Sequence, residues 1–316
     1  MRETRYGLNL PYCTDVAAQA RRIERLGFDY LTVGEHVSFH TPVPSALITL
    51  AYAAAVTTRV RLMSGILTLP FYPAATVAKM TAALDVLSGG RFELGVGVGG
   101  ENPAEFAACG VPASERGKRA DEALEVIRQL WTGKKVTFQG RFCTLTEVDI
   151  APAPVQPGGP PIWISGRGSA ALRRTAALGD GWFPYLVSPA MVADGLAKIR
   201  QLSDSGESSG PGGRAGVLLF ACCHEDSRRA LSYAVEFLTK QYNQEFSRGR
   251  KDYLVVGTPA ECRQRLAEYR AAGCDLIVLA SACPAEYRVT NEQLLAEHVL
   301  ELAGYEPDRT DREPSA

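Results

Sequence analysis

Eight short apolar runs punctuate the chain: Tyr6–Leu10, Tyr30–Gly34, Val60–Leu67, Phe92–Gly97, Ile162–Ser165, Gly181–Tyr185, Gly216–Cys222 and Leu276–Ala280. Most are continuous rather than alternating, which is the pattern of parallel strands covered on both faces. The stretches between them carry helical periodicity. Val77, Met80, Leu84 and Leu87 recur at helical spacing, as do Ala120, Ala123, Leu124, Ile127, Leu130 and Trp131. Thr258-Pro259-Ala260-Glu261 has the residues of a capping box with proline in the first turn, and Gly273 supplies a stop. Strands that alternate with helices in this way predict an α/β fold, a TIM (β/α)8 barrel.

The 316 residues suit one such barrel, predicted over residues 1–304 with a polar, flexible tail at 305–316. Two departures from a plain barrel are expected. Lys134–Pro161 carries a hairpin-like pattern (Lys-Val-Thr-Phe-Gln-Gly-Arg-Phe) followed by five prolines, and reads as an insertion after the fourth β/α unit. Ser203–Arg214, rich in serine and glycine, reads as a flexible loop before the seventh strand.

Composition narrows the range of partners. With 34 basic and 35 acidic residues the net charge is −1, so no bulk field draws in nucleic acid or an anionic membrane. No run approaches the roughly 18 consecutive apolar residues that span a bilayer, and the opening MRETRYGLNLPYC is too polar for a signal peptide. Eight scattered cysteines without a CxxC motif predict reduced thiols and a cytoplasmic protein.

Two strands end in glycine-rich turns, Gly90–Gly100 and Pro160–Gly168. The second feeds a helix opened by Ser169, and a strand exit that runs into a helix N-terminus aims several unpaired N–H groups at one point. Ser165, Gly166, Arg167, Gly168 and Ser169 add two hydroxyls and a guanidinium there, with Arg173 and Arg174 one turn further in. This combination predicts a phosphate site, and hence a phosphorylated cofactor. Gly95-x-Gly97-x-x-Gly100 also matches the dinucleotide fingerprint by letter, but it sits on the fourth strand, and the downstream acids Glu122 and Glu125 fall inside a helix.

Glu35-His36 follows the second strand at the predicted active face. A histidine beside a carboxylate at a strand exit can move a proton or position a ring system, and a structural role fits the composition equally. His40 would complete a metal pair, but Pro42 and Pro44 oppose a helix and no third ligand is near, so no metal site is predicted. Cys222-Cys223-His224 lacks an orienting third group and reads as buried thiols beside a histidine. Trp182, Phe183 and Tyr185 close the sixth strand, either as core or as the wall of an apolar pocket suited to a flat heterocycle.

These residues fall into a larger pattern. GEHV (Gly34–Val37), SGILTLP (Ser64–Pro70), LDVLSGGRFELGVGVGG (Leu84–Gly100), GVPASERGKRADEALEVIRQLWTG (Gly110–Gly133), PPIWISG (Pro160–Gly166) and ALRRTAALGDGW (Ala171–Trp182) occur in order. With these stretches the chain resembles the luciferase-like superfamily from Gly7 to about Leu279, especially its branch of oxidoreductases using the deazaflavin coenzyme F420. The resemblance implies a cofactor ring at the barrel mouth over a non-proline cis peptide at Gly65-Ile66, near Thr68. It implies a phosphate at Ser165–Ser169, with Gly97, Val98 and Gly99 flanking the same tail. His36 matches the family's active-site histidine, Glu35 the residue before it.

Some F420-dependent members carry a catalytic acid directly after the strand-four glycines. Here Gly100 fills that slot, followed by Glu101 and Asn102, and Glu101 is the candidate stand-in. The arginine and lysine set expected for a sugar-phosphate substrate is not found. The resemblance therefore implies hydride transfer between F420 and a small organic substrate held near His36, Thr68, Asn102, Trp182 and Tyr185. An FMN-dependent monooxygenase supplied with reduced flavin by a separate reductase is the alternative, and a non-catalytic flavin-binding protein a third reading. Family members dimerise through barrel helices, which implies a homodimer.

Overall fold

A computed structural model describes residues 3–11, 14–100, 102–204, 213–246 and 252–305. The first half of the chain runs β1 (Arg5–Asn9), α1 (Val16–Arg25), β2 (Tyr30–Val33), α2 (Ala46–Val56), β3 (Arg61–Ser64), β4 (Leu67–Thr68), α3 (Ala74–Leu87), β5 (Phe92–Gly97), α4 (Pro103–Ala108) and α5 (Arg116–Leu130). The second half runs β6 (Val136–Gln139), β7 (Thr144–Val148), β8 (Ile162–Ile164), α6 (Ser169–Leu178), β9 (Gly181–Trp182), α7 (Pro189–Leu202), β10 (Arg214–Cys223), α8 (Ser227–Tyr242), β11 (Leu254–Gly257), α9 (Pro259–Ala271), β12 (Leu276–Ser281) and α10 (Arg288–Leu294).

The sheet closes on itself. β1 pairs with β2, β2 with β3, β3 and β4 with β5, and β5 with β8. β8 then pairs with β9, β9 with β10, β10 with β12, and β12 returns to β1, all parallel. Counting β3 and β4 as one broken strand gives the eight-stranded barrel, with helices outside it. Each expected apolar run contributes to this ring. The capping box of α9 also forms as the sequence predicts, with Thr258 and Glu261 each accepting the other's backbone N–H. The hairpin β6–β7 stands apart as its own antiparallel sheet between α5 and β8.

Two strand readings need correction. Val60–Leu67 is not continuous: β3 ends at Ser64 and β4 begins at Leu67, on either side of Gly65-Ile66, whose peptide is cis as the resemblance implied. β11 had no counterpart in the sequence reading. β10 is ten residues long, and one of its edges meets β9 only at Arg214 and Ala215. Leu254–Gly257 pairs that same strand further along, from Phe220 to Cys223. The Ser203–Arg214 loop and the tail fall largely outside the described residues, at 205–212 and 306–316.

Tyr30, Met63, Trp163, Leu276 and Val278 of the strands pack together with Phe183, just after β9, as one buried group. The larger apolar core lies between the strands and the surrounding helices, where Ile23, Leu50, Val77, Leu84, Leu124 and Ile127 are buried. These two layers hold the strand C-termini, and the loops that follow them, in a fixed circle.

Candidate active site

The strand C-termini surround a cavity of about 480 Å³. Its base is shaped by glycine. A Cβ at Gly97 would lie 2.6 Å from Ile66 Cδ1, so the Ile66 side chain occupies the space that a larger residue on β5 would fill. At Gly168, by contrast, a Cβ would meet nothing within 4 Å, leaving backbone open to a ligand. Glycine thus serves packing at one point and access at the other.

The loop after β8 presents the amides of Gly166, Arg167 and Gly168 ahead of α6. No backbone carbonyl among the described residues accepts from these three, whereas the Ser165 amide is taken by Val96 at 2.8 Å. Arg167 is exposed, donates to the Leu186 carbonyl at 3.0 Å and lies over the Tyr185 ring. Arg174 points elsewhere: its guanidinium pairs with Asp121 of α5 at 2.5 Å.

Across the cavity, His36 is held by a residue the sequence reading did not single out. Its Nδ1 lies 3.1 Å from Glu105 Oε2, and Glu105 is buried at 2% exposure. The other oxygen of Glu105 accepts from the Val37 amide at 2.6 Å and the Ser38 amide at 3.1 Å. A carboxylate in this position favours the proton on Nδ1, which leaves the ring lone pair on Nε2. Glu105 reaches this loop from the first turn of α4, whose cap is Asn102. Asn102 accepts from the Ala104 amide at 3.1 Å and donates to the Ser38 carbonyl at 2.9 Å. The sequence signal was Asn102-Pro103-Ala104-Glu105, an N-terminus with an acid in its first turn. Nothing local shows that the acid turns toward a loop 69 residues back.

Glu35 is buried, and its oxygens accept from the Tyr72 hydroxyl at 2.8 Å and the Ala46 amide at 3.2 Å. Burial pushes its carboxyl above the ordinary glutamate range, with those hydrogen bonds opposing the shift. Burial likewise raises the Tyr72 hydroxyl, and the nearby Glu35 charge adds to it.

Most predicted site residues meet in this cavity: Glu35, His36, Gly65, Ile66, Thr68, Gly97, Val98, Gly99, Ser165, Gly166, Arg167, Gly168 and Tyr185 all line it. Three do not. Ser169 opens α6 behind the loop, Asn102 caps α4, and Trp182 is buried with its indole N–H donating to the Gly166 carbonyl at 2.8 Å. Trp182 thus braces the amide loop from behind instead of walling the pocket. Glu101 lies outside the described residues. Cys222 and Cys223 are buried and, with His224, stay off the cavity wall. Among the described residues no cluster of three or more His, Cys, Asp or Glu could hold a metal, and no helix is long and apolar enough to cross a membrane.

Residues 3–276 match the model of the luciferase-like monooxygenase family. The chain belongs to that family. As a luciferase-like protein it is 34% identical over 178 residues to an F420-dependent glucose-6-phosphate dehydrogenase of Kineococcus radiotolerans, covering 53% of this chain and 50% of the relative. The chain spans between half and three-fifths of the length of the curated relatives it matches first, 58% and 50% in two cases. Among solved structures, the luciferase-like barrel superposes on the monooxygenase RslO1 from Streptomyces bottropensis with a TM-score of 0.83 at 24% identity, covering 94% of this chain and 99% of that one. An F420-dependent secondary alcohol dehydrogenase holding an F420-acetone adduct gives a TM-score of 0.82 at 20% identity, covering 95% and 99%. At these identities both share the luciferase-like fold.

Proposed function

We propose that this luciferase-like oxidoreductase uses coenzyme F420 to move a hydride to or from a small organic substrate. The observation that carries the reading is the pairing, across one cavity, of an open amide loop with a histidine fixed by a buried carboxylate. The cradle fits a phosphorylated, flat cofactor. Gly166, Arg167 and Gly168 offer amides without a backbone acceptor among the described residues, and Gly168 leaves room beside them. Gly65, Ile66 and Thr68 would support its ring, with Gly97, Val98 and Gly99 alongside. When bound, the deazaflavin supplies the two-electron redox chemistry.

The protein's residues then hold and orient. His36 exchanges a proton with the substrate oxygen through Nε2, and Glu105 keeps the imidazole in the tautomer that allows it. Glu35 sets the start of α2 and the position of Tyr72, and lies next to His36 in the same loop. The named F420-dependent relatives support the cofactor assignment.

The second reading, an FMN monooxygenase fed reduced flavin by a separate reductase, draws on the fold shared with a named monooxygenase. Tryptophan quenching separates the two: micromolar F420 should quench and FMN should not. Quenching by FMN with no response to F420 would overturn the primary reading. We also read the chain as a homodimer. α2 carries no charged residue, yet Ile48 is 73% and Tyr52 54% exposed. Ile48→Lys should then halve the mass measured by light scattering; an unchanged mass rules this face out.

A further inference from the structure

The cavity has two unlike halves. One is mostly glycine backbone, contributed by the turns after β3, β5 and β8. The other is built from side chains: Leu218 and Phe220 on β10, Phe237 and Tyr242 on α8, and Val43 from the loop after β2. A run of rings joins this apolar half to the histidine. His36 stacks on Phe39 with centroids 4.1 Å apart, Phe39 meets Tyr242 edge-on at 6.0 Å, and Tyr242 meets Phe220 edge-on at 6.1 Å. The Thr41 hydroxyl donates to Gln241 Oε1 at 2.7 Å, fastening the same loop to α8. The loop after β2 is therefore tied into one wall with the consecutive elements β10 and α8, which lie far from it in sequence.

The charge inventory of the cavity is equally one-sided. Among the described lining residues the ionisable acid and base groups other than tyrosine are Glu35, His36 and Arg167. Glu35 and His36 are engaged away from β10, by Tyr72 and Ala46 and by Glu105, while Arg167 is held at the edge of the β10 half by the Leu186 carbonyl and the ring of Tyr185, which bridges Leu218. No lysine or arginine of the described residues lines the half formed by β10 and α8.

The geometry points to a subsite for a neutral, apolar organic substrate between β10 and α8. Its hydrocarbon body lies on Leu218, Phe220, Phe237 and Tyr242, and its polar atom faces His36. The inference deepens the proposed function and rests on it only in giving the glycine half to the cofactor. Burying a phosphate or carboxylate against this wall would strip its hydration with no lysine or arginine of the described residues in the wall to replace it. A sugar phosphate, the substrate named for the Kineococcus relative, is the wrong chemistry for this half.

Two fluorescent probes that differ by one anionic group test the subsite: N-phenyl-1-naphthylamine, which is neutral, and 8-anilinonaphthalene-1-sulfonate. Each is titrated into the full chain, first alone and then with saturating F420. The neutral probe should bind at least about tenfold tighter than the sulfonate and should stay bound beside F420. Phe237→Arg sits at a half-buried helix position and places a cation in the wall. It should weaken the neutral probe about tenfold and erase or invert the preference. Phe237→Ala should weaken the neutral probe several-fold without that inversion, and circular dichroism shows that both variants fold. Equal or tighter binding of the sulfonate to the unaltered chain overturns the subsite. So does displacement of the neutral probe by F420, or neutral binding that neither variant changes. F420 binding without a probe preference sinks the subsite alone; a probe preference without F420 binding sinks the cofactor assignment alone.

Discussion

The two ends of the barrel use polar groups in opposite ways. At the N-terminal end, the Glu93 carboxylate of β5 is 2% exposed and surrounded by donors. It accepts from the Tyr30 hydroxyl at 2.9 Å, Arg61 Nε at 2.7 Å and the Trp163 indole at 2.5 Å. Arg214 stands 3.8 Å away and covers the Trp163 ring at 4.4 Å. Every ring residue in this cluster comes from the start or middle of a strand, and every partner faces inward. At the C-terminal end the amides of Gly166, Arg167 and Gly168 have no backbone acceptor among the described residues, and glycine replaces side chain. Folding consumes the hydrogen bonds at the floor and leaves those at the mouth for a ligand. The same strands therefore carry stability at one end and binding at the other.

Glu93→Leu tests this contrast most severely. It strands Arg61 and Arg214 without their shared acid, and breaking such a buried group costs about 3–5 kcal/mol. Urea unfolding should show that loss, while F420 affinity of the folded protein is unchanged. A loss under about 1 kcal/mol would mean that the floor is not what secures the ring. Glu105→Gln carries the next largest effect, this time at the mouth. The amide can still accept from Val37 and Ser38, so the fold should survive. Losing the carboxylate frees the His36 tautomer, and turnover should fall about 100-fold. Nitrogen NMR of the imidazole checks the cause: the Nδ1–H form should dominate before the substitution and lose that dominance after it. Full activity in the variant would remove Glu105 from the mechanism.

The sequence made the floor and the mouth unequally legible. Apolar runs located the ring strands because each is buried on both faces and its pattern is local. Gly65-Ile66 broke the third run: no composition signal separates a bulge from a continuing strand, and only the family resemblance placed the cis peptide there. Leu254–Gly257 has only four residues, directly ahead of a capping box, and they pair only where β10 outruns β9. The glycine turns were readable as turns, yet their two uses were not. Gly97 makes room for Ile66 and Gly168 makes room for a ligand, a difference that depends on neighbours distant in sequence. Likewise Trp182 reads as a pocket aromatic until its indole is seen on the Gly166 carbonyl. Glu105 was hidden for the same reason, being ordinary in its helix and decisive only across the cavity.

Gly168→Phe sharpens the mouth side of the comparison without disturbing the floor. Its φ of −81° suits any residue and its Cβ position is open, so stability should change by less than about 0.5 kcal/mol. A phenyl group beside the free amides should nevertheless weaken F420 binding about tenfold, which is about 1.4 kcal/mol. Unchanged affinity at unchanged stability would mean that the amide loop holds no phosphate.

The smallest effect concerns Glu35, which belongs to neither extreme: it lies at the mouth but its oxygens are used, as at the floor. Burial raises its carboxyl in the folded chain above the ordinary value. The fold therefore binds this proton more tightly than the unfolded chain does, so the contribution to stability is complete below the unfolded value. It is lost as pH rises through the folded one. Glu35→Gln imitates the protonated acid: its carbonyl can accept from Ala46, and Tyr72 can turn its hydroxyl lone pair to the new amide. Melting temperatures of the two proteins should converge in acid near the unfolded carboxyl value, with the variant gaining on the parent as pH rises and then holding a constant lead. A lead that grows toward acid instead would show that the hydrogen bonds from Tyr72 and Ala46 outweigh burial. Glu35 would then act as a charged anchor for α2, and the mouth would share the floor's logic at that one point.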